Sequence, residues 1–221
     1  MEARLTELNR NEILLYLGHR GQAIPPELEE QMERCIRTVT AAARPRLVYR
    51  RLAVRDGELD ALPGLGNDLR AILRPCREAV LMAATLGPLV EQVLMRSGVT
   101  DMADAVIMDA CASAAIENVC DHFEFDLRAE LEREGCFLTD RFSPGYGDFP
   151  LERQNALCDT LNAARRIGLT VTENHIMIPR KSVTAVLGIA ENPQPLRARG
   201  CAVCSMFLNC PYRKEGETCH G

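Results

Sequence analysis

The segment Arg141-Phe142-Ser143-Pro144-Gly145-Tyr146-Gly147-Asp148-Phe149-Pro150 brings together one fixed cation, two prolines, two glycines and three aromatic rings. Proline fixes φ and removes a donor, and glycine lets a ligand approach the backbone closely. Pro144-Gly145 is a turn signal, with Arg141 and Tyr146 on either side of it. The planar fork of arginine suits a carboxylate, to which it donates two parallel hydrogen bonds. The face of tyrosine suits a purine ring or a cationic centre. Carboxylate, purine and cation together describe S-adenosylmethionine, and they describe other ligands too. The same residues also describe a rigid surface turn with an ion-paired arginine.

A second concentration of chemistry lies near the end of the chain. Cys201, Cys204, Cys210 and Cys219 follow one another with two, five and eight intervening residues, and His220 adjoins the last. Four thiolates so close together can fold around a tetrahedral ion or an iron–sulfur cluster. Zinc and iron–sulfur share this ligand set, and a dithiol redox pair or free thiols also account for it. The other cysteines, Cys35, Cys76, Cys111, Cys120, Cys136 and Cys158, are scattered. In a reducing compartment they act as small apolar core residues.

The elements that must hold these residues are read from periodicity and punctuation. Residues 9–18 form a short helix closed by Gly18, and an amphipathic helix runs from Glu27 to Ala43, with Met32, Ile36 and Val39 at helical spacing. Leu47–Val54 is a strand, Asp68–Leu73 a short helix, Glu78–Leu86 a buried strand and Leu89–Arg96 another short helix. Asp101–Arg133 is the longest helix, capped by Asp101 and apolar on nearly every side between Met102 and Cys120. Its charged second half is expected in solvent. Leu151–Arg166 is a helix ended by Gly168. Leu169–Thr172 and His175–Ile178 are strands, and Ser182–Ile189 returns antiparallel after a short turn. The reading is an α+β domain over residues 1–190, with a long central helix and an antiparallel sheet, then a linker and cysteine-rich tail over 191–221.

Composition bounds the function. The chain has 221 residues, 47% hydrophobic and 26% charged, as an ordinary globular domain does. A net charge of −5, with no long basic run, argues against nucleic-acid binding. The first residues lack the apolar core of a signal peptide, and no apolar run is long enough to span a membrane, so a cytoplasmic location is expected. His122 and His175 read as structural, and Glu173 as the polar end of a strand. There is no Ser-His-Asp or Cys-His arrangement.

Arg141 to Tyr146, then Leu169-Thr170-Val171-Thr172-Glu173, then Ser182-Val183-Thr184 resemble, in order and spacing, the R-P-A-P-G-Y, L-T-E-S and S-V-S-G segments of the activation domain of cobalamin-dependent methionine synthase. The likeness covers roughly residues 80–190, and the overall length with its cysteine tail is similar to that of stand-alone relatives. It implies a C-shaped α+β fold that binds S-adenosylmethionine and, with an electron from a flavodoxin- or ferredoxin-type donor, restores methylcobalamin from the oxidised cofactor. Carried over, Arg141, Ser143, Gly145 and Tyr146 match the ligand loop, and Glu117 falls near the family's acidic ligand contact. Phe142 and Ser143 stand where the family has proline and alanine. The family's further tyrosine beyond the third segment has no counterpart. No D-x-H-x-x-G element for holding cobalamin is present, although Asp121-His122 has a superficial likeness to one. The resemblance therefore implies a corrinoid protein supplied in trans. The alternative is an iron–sulfur or zinc accessory protein that serves another corrinoid methyltransferase.

The tail carries its own test. Protein purified anaerobically is expected to contain iron with visible charge-transfer absorption if the four cysteines hold a cluster, and zinc without colour if they hold that ion. Neither metal at stoichiometric level would leave the thiols free.

Overall fold

The computed structural model describes residues 2–19 and 23–194. The four tail cysteines lie outside the described residues, as does the second expected region beyond residue 194.

The order of elements is α1 (Arg10–Tyr16), α2 (Pro26–Ala42), β1 (Arg46–Ala53), α3 (Gly66–Leu73), β2 (Cys76–Thr85), α4 (Pro88–Thr100), α5 (Met102–Arg133), β3 (Phe137–Leu138), α6 (Arg153–Leu161), α7 (Ala163–Ile167), β4 (Thr170–Val171), β5 (Met177–Ile178) and β6 (Ser182–Ala190). Four strands form an antiparallel sheet in the order β1-β2-β6-β3, and β4 and β5 form a separate two-stranded ribbon. This is the expected α+β class, with a long central helix and an antiparallel sheet.

The sheet divides the interior into two cores, because side chains alternate across it. Val80, Met82 and Ala84 of β2, with Ala185, Leu187 and Ile189 of β6, face α5 and its neighbours α1, α2 and α4. Ala79, Leu81 and Ala83 of β2, with Val186 of β6, face the side occupied by α3, α6 and α7. Central strands covered on both faces are apolar throughout, which explains why Val80 to Leu86 shows no alternation. β6 does not return against the neighbouring ribbon, as its short turn led us to expect. Ser182–Ala190 pairs with β2, with Leu81 opposite Val186, and the end of β6 takes β3 on its other edge. Two apolar cores reward a fully buried central position for β6 more than a local hairpin would.

α5 runs 32 residues, about 48 Å at 1.5 Å per residue. Asp101 caps it, its Oδ1 accepting from the backbone N–H of Ala103 at 2.9 Å and Asp104 at 3.2 Å. Its apolar pattern does not end at Cys120. Phe123, Leu127 and Leu131 bury a continuing stripe, so the second half is amphipathic rather than solvated. Conversely, Met102 and Val106 in the first turns are exposed. The expected helix over 151–166 is broken: Asn162 takes a left-handed backbone with φ 53°, which separates α6 from α7, and Gly168 then ends α7.

At Gly188 a Cβ would meet Cys76 Sγ at 2.5 Å and Thr139 Cγ2 at 3.1 Å. Thr139 also exchanges hydrogen bonds here, donating its N–H to the Gly188 carbonyl and accepting from the Gly188 N–H. Gly188→Ala is expected to destabilise the fold by about 1–3 kcal/mol, as overpacking in a close-packed sheet does. Urea denaturation with an unchanged m-value measures it.

Candidate functional site

The loop after β3 is fastened by its backbone before any side chain is considered. The Phe142 N–H donates to the Val186 carbonyl and the Val186 N–H donates back, both at 2.9 Å, which hangs the loop from the middle of β6. Phe142 and Phe149 stack at a centroid distance of 6.2 Å and are both buried. The Gly145 N–H donates to the Phe149 carbonyl and the Tyr146 N–H to that of Ser143, closing the turn around Pro144-Gly145. At the far end, the Asp148 carboxylate accepts from the backbone N–H of Asn67 at 2.7 Å and of Asp68 at 3.0 Å, at the start of α3. Those donors hold its carboxyl below the usual range. Gly66 makes the approach possible, since any Cβ there would collide with Asp148.

This fastening sets Arg141 against α5. Its Nη2 lies 3.1 Å from Glu117 Oε2 and 2.7 Å from Asp121 Oδ1, and its Nε meets Glu124 Oε1. Glu117, Asp121 and Glu124 are four and three residues apart and therefore share one helical face. The Arg141 side chain is 20% exposed and that of Glu124 is 14% exposed. Arg128 holds Glu124 from the other side at 3.4 Å and donates to the carbonyls of Leu138 and Thr139. The remaining donor of Arg141, Nη1, is buried and makes no hydrogen bond among the described residues.

α1 completes the face. Tyr16 follows Glu12 by one turn on the same face of α1. Burial raises the Glu12 carboxyl above its ordinary range, and the charges of Asp121 and Glu117 raise it further. Burial likewise pushes the Tyr16 phenol up to about 12, helped by Glu117 and Glu12. Burial also raises the Glu124 carboxyl, against the pull of Arg141 and Arg128. Underneath, burial pushes the Cys120 thiol up to about 12, so it is neutral packing material. Tyr146 stands at the loop tip, 66% exposed.

The structure thus brings together the five residues singled out from sequence. Arg141 pairs with Glu117, Ser143 and Gly145 form the turn, and Tyr146 is presented beside them. Asp121, Glu124, Glu12 and Tyr16 were not singled out. The signal for the first two was the helical spacing from Glu117, and for the second pair the four-residue step on a short helix. Of the histidines, His122 Nε2 lies 2.7 Å from Thr6 Oγ1 and His175 Nδ1 lies 2.7 Å from Asn155 Oδ1, both positions that hold segments together. Glu173 is exposed. No cluster of three metal-ligating side chains with the geometry for an ion occurs among the described residues. No helix among the described residues is long and apolar enough to cross a membrane.

No protein-family model and no curated protein matches this chain. Among solved structures, the MetH reactivation domain bound to AdoHcy is similar, with a TM-score of 0.60 and 14% identity, over 85% of this chain and 75% of that one. A nitroreductase family protein from Streptococcus pneumoniae TIGR4 aligns at a TM-score of 0.35 and 9% identity, over 81% of this chain and 86% of that one. At such identity the first likeness establishes the fold.

Arg141→Ala would leave Glu124 desolvated beside only Arg128. The substitution is expected to cost about 3 kcal/mol at neutral pH. The folded pKa of Glu124 already lies above its unfolded value of 4.5, and losing Arg141 raises it further. Stability from a raised carboxyl is fully present below the unfolded pKa and is lost as pH rises through the folded one. The penalty should therefore shrink on going from about pH 8 to about pH 5. Equal penalties in urea unfolding at the two values would show that Glu124 is not the group left stranded.

Proposed function

We propose that this chain binds S-adenosylmethionine on the face formed by α1, α5 and the Arg141–Pro150 loop. In our reading it serves as the reactivation component of a cobalamin-dependent methionine synthase, acting on a corrinoid protein supplied in trans. The observation that carries the ligand is the charge balance of the face. Four carboxylates, Glu12, Glu117, Asp121 and Glu124, crowd around Arg141, and Glu12 is raised partly by the charges of its neighbours. Surplus negative potential of this kind is complemented by a cation. S-Adenosylmethionine brings a sulfonium and an ammonium, the two cationic groups that such a face attracts. The exposed rings of Tyr16 and Tyr146 offer faces for the adenine. The fold shared with the MetH reactivation domain, a protein seen with AdoHcy, supports the same reading.

When bound, S-adenosylmethionine supplies an electrophilic methyl group. Handing it to reduced cobalt moves no proton, so the face needs no general base, and its groups serve to orient the ligand. Glu117 and Asp121 fix Arg141, the Phe142–Val186 bridge fixes the loop, and the two tyrosines set the ring. The cobalamin belongs to the partner, and the electron to a flavodoxin- or ferredoxin-type donor. The second reading, an iron–sulfur or zinc accessory role, rests on the spacing of Cys201, Cys204, Cys210 and Cys219.

Titration calorimetry of the full chain tests the ligand. S-Adenosylmethionine is expected to bind saturably, and the uncharged thioether S-adenosylhomocysteine more weakly. Glu12→Gln should narrow the gap between them by roughly tenfold, the worth of one charge-assisted contact. Tyr146→Ala should weaken both. No saturable binding of S-adenosylmethionine would remove the reading, and equal affinity for the two ligands would dismiss the carboxylate face as its basis.

A further inference from the structure

On the opposite side of the sheet from α5, a cavity of about 300 Å³ opens between α6, α7 and β4, lined by Asn155, Cys158, Asp159, Asn162, Thr170 and Val171 among others. That volume is at the lower end of the range for small-molecule sites. Asn155 and Asp159 stand four residues apart on one face of α6, and Asn162, at the helix end, lines the same cavity. Most of their hydrogen-bonding capacity is unused. Asn155 Oδ1 lies 2.7 Å from His175 Nδ1; the carbonyl oxygen can only accept, so the ring nitrogen donates and the amide N–H groups of Asn155 are left over. The side chains of Asp159 and Asn162 make no hydrogen bond or ion pair among the described residues.

The backbone beside this cavity turns sharply. Left-handed backbone is disfavoured for residues with a Cβ. Among the described non-glycine residues three adopt it: Asp56, Asn162 and His175. Asn162 lines this cavity, and His175 stands behind Asn155, which lines it too. Asn162 ends α6 and redirects the chain into α7, so a straight helix does not fill the space. His175 is pinned by Gln154, whose Nε2 donates to its carbonyl at 3.0 Å, and it fixes the Asn155 amide in turn.

The lining defines the ligand. Asp159 supplies the acidic side chain in the wall. The thiol of Cys158, raised to about 11 by burial and then by Asp159, is neutral. Asn162 offers a second acceptor beside the carboxylate, and the Asn155 amide donates one turn away. Leu169 and Val171 supply an apolar wall. We infer that the cavity between α6, α7 and β4 is a second binding site, which takes a small organic cation whose ammonium adjoins an amide or hydroxyl group. The ammonium sits between Asp159 and Asn162, and the neighbouring oxygen accepts from Asn155.

Amide-resolved NMR of the full chain, titrated with glycinamide and with acetamide, tests this. Glycinamide carries the ammonium and the amide; acetamide carries only the amide. Glycinamide is expected to shift resonances of residues 155–171 saturably, and acetamide to bind at least about tenfold more weakly, the difference a charge-assisted contact makes. Asp159→Asn, an isosteric change at an exposed position, should reduce glycinamide to the level of acetamide while leaving the spectrum otherwise intact. No saturable shift in residues 155–171, unchanged affinity in Asp159→Asn, or equal shifts along residues 117–124 would overturn the assignment. The last outcome would mean that glycinamide merely collects on acidic surface.

Discussion

A guanidinium withdrawn from water against a row of helix carboxylates is the interaction on which the rest of this site depends. Arg141 cannot leave Glu124 without stranding a desolvated charge, and Glu124 cannot leave Arg141 and Arg128 for the same reason. Such pairs add little net stability over an apolar equivalent, because desolvation cancels most of the attraction. What they add is geometry. The loop is drawn onto one position along α5, the turn residues Ser143 to Tyr146 follow, and α1 finds a charged face on which Glu12 and Tyr16 settle.

The local charge matters more than the total. A net charge of −5 spread over 221 residues says little about ligands. Four carboxylates against Arg141 and Arg128 on a partly desolvated face say much more, because low-dielectric walls keep the field from being screened. Glu12 and Tyr16 are raised first by burial and then by the same neighbouring charges. Across the sheet, the groove beside α6 holds a single carboxylate among amides, a milder potential. The two faces are insulated from each other by β2 and β6, apolar on both sides.

Much of this fold was legible because the decisive signals were local. Asp101 before an apolar run, Pro45 after one, and Gly18 and Gly168 past helix ends each announce a boundary with a mechanism. The nearly continuous apolar character of Glu78 to Leu86 announced a buried strand. What stayed illegible was non-local. Nothing in Ser182–Ala190 says that β2, a hundred residues earlier, is a better partner than the ribbon beside it. Phe123, Leu127 and Leu131 were hidden among charges because the eye weighs composition before spacing. At the site, Arg141 and Tyr146 stood out by their turn, and Glu117 by resemblance. Asp121 and Glu124 become visible only once Arg141 is known to lie against α5. Glu12 needs a tertiary contact that no pattern in α1 encodes.

The backbone fastening of the Arg141–Pro150 loop also bears on how such a protein can change over generations. Its shape is set by the Phe142–Val186 bridge, the stacked Phe142 and Phe149 rings and the grip of Asp148 on α3. None of these uses the side chain of Ser143 or Tyr146. Those two positions are thus free to vary with little penalty to folding, while the framework that displays them stays under strict selection. A lineage carrying this arrangement could retune what it recognises one surface residue at a time, without passing through an unfolded intermediate.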